Sequence, residues 1–432
     1  MKKIAALVVV IAAMVVFVLA QAEEDKYLIK NATIIPVEGE PLENADLLIE
    51  QGKIAAMGDE ISAPDGSKII EAAGLFVYPG FIDAHTHLGL SEIGAIASTV
   101  DMREMGKENP ELKVAWAINP HSVHFKTSRI NGTTTALVAP SGGTYPGLSA
   151  LVKMDGWTID EMLVREVATS FINFPMSPRQ SRSARIGPQT RSRVDVTSKL
   201  VERIQEYLKE TRHYLKRRKL GAEDPNIAAP DLNPKYEALA PVLEGKLPVI
   251  ISVEKAKDIE LAIEFVQEEN LKAIFRGCVQ GGRVAEKIKD AGIPVIVDNL
   301  YTGPLEPEDG YDAPFRNVGE MAKAGVQICF STGHDPATGK DLPYHAARAV
   351  AFGLDRAEAI KALTINPARI FGIDDRVGSL KVGKDADLFI TTGDPLDLRS
   401  EVKHLFINGK DMDLDNWWQS LYDTWKKRPL RN

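Results

Sequence analysis

Two histidines, His85 and His87, stand two residues apart in the segment Tyr78-Pro79-Gly80-Phe81-Ile82-Asp83-Ala84-His85-Thr86-His87-Leu88-Gly89. The residues before them read as a buried strand, and residues i and i+2 of a strand share a face. The two imidazoles can therefore be offered to one metal ion. Imidazole nitrogen is a common zinc ligand, and a hydrolytic site keeps an open position where the metal acidifies a water. Two packed, hydrogen-bonded loop histidines are the alternative reading of the same residues.

A strand that delivers ligands needs a scaffold. Strand-like runs at 79–84, 133–139, 148–153, 166–172, 247–252, 271–276, 294–297 and 326–330 alternate with helical stretches, which predicts a (β/α)8 barrel of the α/β class. In that fold the C-terminal ends of the strands carry the active site, which is where His85 and His87 fall. Short apolar runs with Gly, Asn and Asp turns flank the barrel on both sides, with an Asn408-Gly409 hairpin signal in the second flank. The expected organisation is a leader over 1–22, a small β-sandwich built from 23–78 and 376–412, a barrel over 79–375 inserted into it, and a C-terminal tail over 413–432.

Pro79-Gly80-Phe81-Ile82-Asp83-Ala84-His85-Thr86-His87 resembles the first-strand signature of the amidohydrolase superfamily. Asn131-Gly132-Thr133-Thr134-Thr135 is similar to its second-strand entry, and Leu363–Gly372 to the helix after its eighth strand. Val377–Leu388 resembles the return into the sandwich. The match spans about 27–412 and points to the secreted, imidazolonepropionase-related branch.

The resemblance implies further ligands. An acid beyond the eighth strand would bind the metal and take the proton of its water, which places Asp335 there, with His334 beside it to orient substrate. A bridging lysine from the fourth strand is expected, and Phe171 stands at the matched position. Histidines are expected from strands five and six, and Ser252 and Arg276 stand there instead. The set that remains, His85, His87 and Asp335, predicts one divalent metal, zinc by ligand type, with Glu254 as an extra oxygen ligand and Arg276 replacing part of the missing positive charge. Two functions stay open. One is an exported metal-dependent hydrolase of a C–N bond in a small amide, cyclic amide or peptide-like substrate. The other is a non-catalytic binding or partner subunit that has lost most of its ligands and joins a related amidohydrolase in an oligomer.

Residues 179–219 hold 13 Lys/Arg against four Asp/Glu, a charge of +9 in a chain of net charge -8. Pro178, Gly187 and Pro188 predict a loop, followed from about Ser198 by a helix with Ile204, Leu208 and Leu215 on one face. Arg191, in a stretch that resembles a loop motif of the family branch, is the candidate for holding a substrate carboxylate through two parallel hydrogen bonds. A solvated basic loop is the plain alternative. The tail places Trp417, Trp418, Leu421, Tyr422 and Trp425 near helical spacing, and they are expected to pack on the protein or on a second subunit, with membrane contact as the lesser alternative.

Lys2 and Lys3, the uncharged run Ile4–Ala20 and Ala20-Gln21-Ala22 form a secretory signal, so a periplasmic or extracellular location is expected, without stable membrane insertion after cleavage. Retention of the segment as an anchor is the alternative. Cleavage removes two lysines and no acid, taking the charge from -8 to -10. That balance argues against nucleic acid as a partner. The two cysteines, Cys278 and Cys329, are expected as buried thiols. Mass spectrometry of the exported protein should show an N-terminus at Glu23; a membrane-bound chain retaining Lys2 would identify an anchor.

Overall fold

The structure, a computed structural model, describes residues 25–177, 190–298, 300–333 and 335–429, with the side chains of 190–196 excepted. The leader expected over 1–22, the loop up to residue 189 and His334 lie outside the described residues.

Strands from both ends of the chain meet in one sheet. β1 (Tyr27–Ile34), β2 (Leu42–Glu50), β3 (Lys53–Gly58), β4 (Lys68–Glu71) and β5 (Phe76–Pro79) come from the first flank. β14 (Leu388–Thr391), β15 (Val402–Ile407) and β16 (Lys410–Asp411) come from the second. The order is β16-β15-β14-β5-β1-β2-β3, with β4 paired to β1, so β14 against β5 joins the two flanks. Ile29, Leu47, Val77, Leu388 and Phe406 form its core.

Between the flanks run β6 (Phe81–Thr86), β7 (Thr133–Val138), β8 (Leu148–Lys153), β9 (Leu163–Asn173), β10 (Val249–Val253), β11 (Ala273–Gly277), β12 (Val295–Val297) and β13 (Ile328–Phe330). They pair in chain order, and a parallel bridge from Thr86 to Gly333 brings the first and last together. The eight strands fall where the sequence places them. The barrel is not a plain repeat of β/α units, however. β8 runs antiparallel to both β7 and β9. The physical reason is loop length: nine residues separate β7 from β8 and nine separate β8 from β9, whereas a parallel crossover needs about a dozen or more. β7, β8 and β9 form a meander, and β9 again runs parallel to β10.

Each strand sends a side chain into one apolar layer inside the barrel: Ile82, Leu137, Leu151, Phe171, Ile250, Ile274, Ile296 and Cys329. Such a plug makes the barrel a packed core with its open chemistry confined to the mouth. Cys278 and Cys329 are buried free thiols, and burial pushes both well above their ordinary pKa.

The barrel is tied to the sheet domain by a buried ion cluster. Lys153, at the end of β8, reaches Asp385 and Asp387, and Asp385 also receives Lys53 at 2.9 Å and Arg376 at 2.7 Å.

The basic segment forms a helix over Thr190–Glu223, starting earlier than Ser198. Ile204 and Leu208 are buried on its inner face. Of the two expected partners of the tail aromatics, the protein itself is corrected: the helix Trp417–Trp425 buries none of its residues.

Candidate functional site

Above the apolar layer, the next inward position on several strands is polar. Asn173 follows Phe171, Ser252 follows Ile250, Arg276 follows Ile274, Asp298 follows Ile296 and Ser331 follows Cys329, each by two residues. Alternation along a strand places each pair on one face. Hydrogen bonds link this layer across strands. Ser252 Oγ donates to Asn173 Oδ1 at 3.4 Å, and Ser331 Oγ donates to Asp298 Oδ1 at 2.9 Å. Arg276 Nε lies 3.4 Å from Asp298 Oδ2.

His85 and His87 enter the same space from β6. The register of β6 on β7 shifts between Asp83 and Thr86. Since Ile82 and Ala84 already face the interior layer, this irregularity is what lets His85 turn inward as well. Both imidazoles are fully buried, with ring centroids 5.5 Å apart. His87 Nδ1 donates to the Ala139 carbonyl at 2.7 Å, which fixes its tautomer with the lone pair on Nε2.

His85 is engaged differently. Arg276 Nη1 lies 2.5 Å from His85 Nε2. The same nitrogen lies 3.4 Å from His85 Nδ1, so the guanidinium sits against the ring and sets a permanent positive charge where a metal's charge would lie. Phe171, at the position where the family resemblance calls for lysine, sets its ring 6.0 Å from that of His85. The backbone holds Arg276 in place by turning sharply behind it: Gly277 and Cys278 both take positive φ, 98° and 48°, and Cys278 N donates to the Val253 carbonyl at 2.7 Å. A Cβ at Gly277 would meet that same carbonyl oxygen at 2.8 Å, so glycine is required there.

Asp335 does not join the histidines as a ligand. It is exposed, and its Oδ1 accepts from Ala337 N at 3.0 Å, capping the short helix Pro336–Asp341. A carboxylate at a helix start satisfies otherwise unpaired N–H groups, and that local use competes with the distant one. Glu254 is half-buried beyond the end of β10. Arg191 begins the long helix, its side chain outside the described residues, as is His334. Among the described residues no three His, Cys, Asp or Glu side chains gather as a metal would need. The donor set of the described residues therefore does not fit the expected zinc: one imidazole is taken by a permanent cation and the expected carboxylate caps a helix.

Two acids were missed by sequence reasoning. Asp83 is fully buried between β6 and β13; it accepts from His85 N and Thr332 N, each at 3.2 Å, and from the Thr332 hydroxyl. Burial raises its pKa to about 7, with the nearby Asp298 charge adding to the rise and the hydrogen bonds opposing it. Asp298 is the counter-ion of Arg276. The available signal was position: an acid in the first strand, and one just past the seventh.

The Amidohydrolase family model matches residues 282–415. Over its length the chain is 23% identical to amidohydrolase tasK of Hapsidospora irregularis, covering 88% of this chain but 42% of tasK, so it spans under half of that relative. It is 25% identical to a dihydroorotase of Pelotomaculum thermopropionicum, covering 85% of this chain and 89% of the relative. The solved structure of an amidohydrolase from Thermotoga maritima MSB8 superposes with a TM-score of 0.79 at 28% identity, over 90% of this chain and 99% of that one.

Proposed function

The chain belongs to the amidohydrolase superfamily, and from that premise we propose that it is a binding member, whose barrel mouth holds a small amide, cyclic amide or peptide-like molecule without hydrolysing it through a metal. The observation that carries this reading is the Arg276 guanidinium on His85 Nε2. Arginine stays charged at any physiological pH, so a divalent cation placed on that nitrogen would meet a like charge at contact distance. The remaining polar layer suits recognition of an amide. Arg276, with five N–H donors, can donate to its carbonyl oxygen, while Asn173 is held beside it, its Nδ2 donating to the Gly142 and Gly143 carbonyls and its Oδ1 accepting from Ser252 Oγ. The apolar plug beneath excludes water from the far side. In this reading the subunit is exported, which rests on the sequence pattern of residues 1–22 alone, and serves beside an active relative in a hetero-oligomer.

A second reading rests on the retained pair His85 and His87, both buried and 5.5 Å apart. The relatives are hydrolases of C–N bonds, the dihydroorotase acting on a cyclic amide. In this reading zinc bound to the pair would supply an activated water, and Arg276 would have to withdraw from His85.

One experiment separates the two. The full chain is titrated calorimetrically with a panel of N-acyl amino acids, cyclic imides and dipeptides in chelator, and the same panel is then incubated with the protein and added zinc. Binding in chelator and no turnover with zinc is the expected result. Zinc-dependent turnover that His87→Ala abolishes would replace this function with the hydrolase.

A further inference from the structure

The helix Trp417–Trp425 carries two sharply different faces. At 100° per residue, Trp417, Trp418, Leu421, Tyr422 and Trp425 fall within an arc of about 140°. Gln419, Ser420, Asp423 and Thr424 fill the opposite side. Trp417 is 64% exposed, Trp418 54%, Tyr422 63% and Trp425 62%. The helix is nevertheless a fixed element. Asn416 Oδ1 accepts from Gln419 N at its start, and just upstream Met412 N donates to the Leu405 carbonyl while Met412 Sδ meets Arg129. Immediately after it come Lys426, Lys427 and Arg428, all exposed. Lys426 pairs with Asp423 at 2.6 Å; counted together, these four residues leave a charge of +2 at that end. Asp413 and Asp415 precede the helix, so the positive charge is confined to its C-terminal end.

We infer that this helix is an interfacial anchor, seating its aromatic face in the headgroup region of an anionic lipid bilayer while the barrel stays in water. Three points favour that occupant. Indole and phenol rings with one polar group suit the headgroup boundary, where tryptophan and tyrosine concentrate. The cations that follow match anionic lipid, in a chain whose net charge of -8 otherwise keeps it away from such a surface. A second copy carries the same -8, and five side chains on one short helix fall far below the roughly 20–30 residues a side of a standard protein interface. A nine-residue helix is too short to span a bilayer, so the contact is one of lying on the surface. This inference concerns the tail and is independent of the barrel chemistry.

The test is flotation of the full chain with vesicles of phosphatidylcholine alone and with about one third phosphatidylglycerol. The protein should float with the anionic vesicles, with a blue-shifted tryptophan emission, and bind the neutral ones weakly. Lys427→Ser with Arg428→Ser should lower binding about 25-fold, near fivefold for each cation lost. Trp418→Ala with Trp425→Ala should abolish the emission shift, while circular dichroism confirms an intact fold. The N-terminal segment is common to all these chains, so any lipid affinity of its own cancels in the comparison. Equal flotation of wild type and both variants, equal binding to the two vesicle types, or no flotation at all would overturn the inference. A tryptophan-dependent dimer seen by light scattering without flotation would overturn it too, giving the face to a second copy.

Discussion

Arg276→His converts the barrel mouth into a zinc site. Dialysed against micromolar zinc and measured by atomic emission, wild type retains well under one equivalent and the variant close to one. The reason lies in one contact: Arg276 Nη1 stands 2.5 Å from His85 Nε2 and puts a permanent positive charge where a metal would bind. Histidine at 276 removes the cation and adds a third imidazole on the inward face of β11, beside His85 and His87. Groups that contact ligating histidines shift metal affinity by about 10–100-fold, and here the loss of repulsion and the gain of a ligand act together. Arg276→Leu separates the two effects, since it removes the charge without supplying a donor, and should fall between wild type and Arg276→His. Wild-type protein that binds one zinc as tightly as the variant would refute the proposed displacement of the metal.

Lys153→Met is the substitution expected to cost most stability. Lys153 is 2% exposed and reaches Asp385 and Asp387, both also buried, across the contact between barrel and sheet domain. Removing one partner of a buried ion pair leaves a desolvated charge, at about 3–5 kcal/mol. For a chain of this length that is a fall of about 5 °C in apparent melting temperature. Asp387 loses its ion-pair partner, while Asp385 keeps Lys53 and Arg376, which is why the effect should sit in the middle of that range. The pH dependence has a definite sign. Burial would raise the Asp385 pKa, but Lys153, Lys53 and Arg376 more than offset it and hold the carboxyl below its ordinary 3.8. A depressed folded pKa stabilises above the unfolded value and is lost as pH falls through the folded one. The gap between wild type and Lys153→Met should therefore hold from neutral pH down to about 5 and narrow below about 4. Thermal melts across that range test it; a gap that stays constant or widens in acid would refute the linkage to Asp385.

The eight barrel strands and the two flanking segments were legible because strand signals are local: apolar runs bounded by glycine and turn residues form wherever they occur in the chain. The same locality identified His85 and His87, two residues apart on one strand. It also placed Ser252 and Arg276 at the ends of β10 and β11, where the structure finds them paired in register. Local reading failed at the third strand. The runs at 133–139 and 148–153 gave the strands but not their direction, which the short connections decided. It failed again at Asp335, where a residue two positions on offers its N–H and the carboxylate takes the nearer partner.

The sequence by itself determined the fold class and the placing of His85 and His87 at the end of the first barrel strand, because each depends on residue type and on neighbours within a few positions. Only the tertiary structure decided what stands against them. His85 and Arg276 are 191 residues apart, and their contact exists because a closed barrel points β6 and β11 at one axis. The exposure of the tail aromatics is equally a matter of what lies opposite them: helical spacing fixes that the rings share a face, and the packing of the rest of the chain half-buries Leu421 at its centre while leaving the four rings exposed.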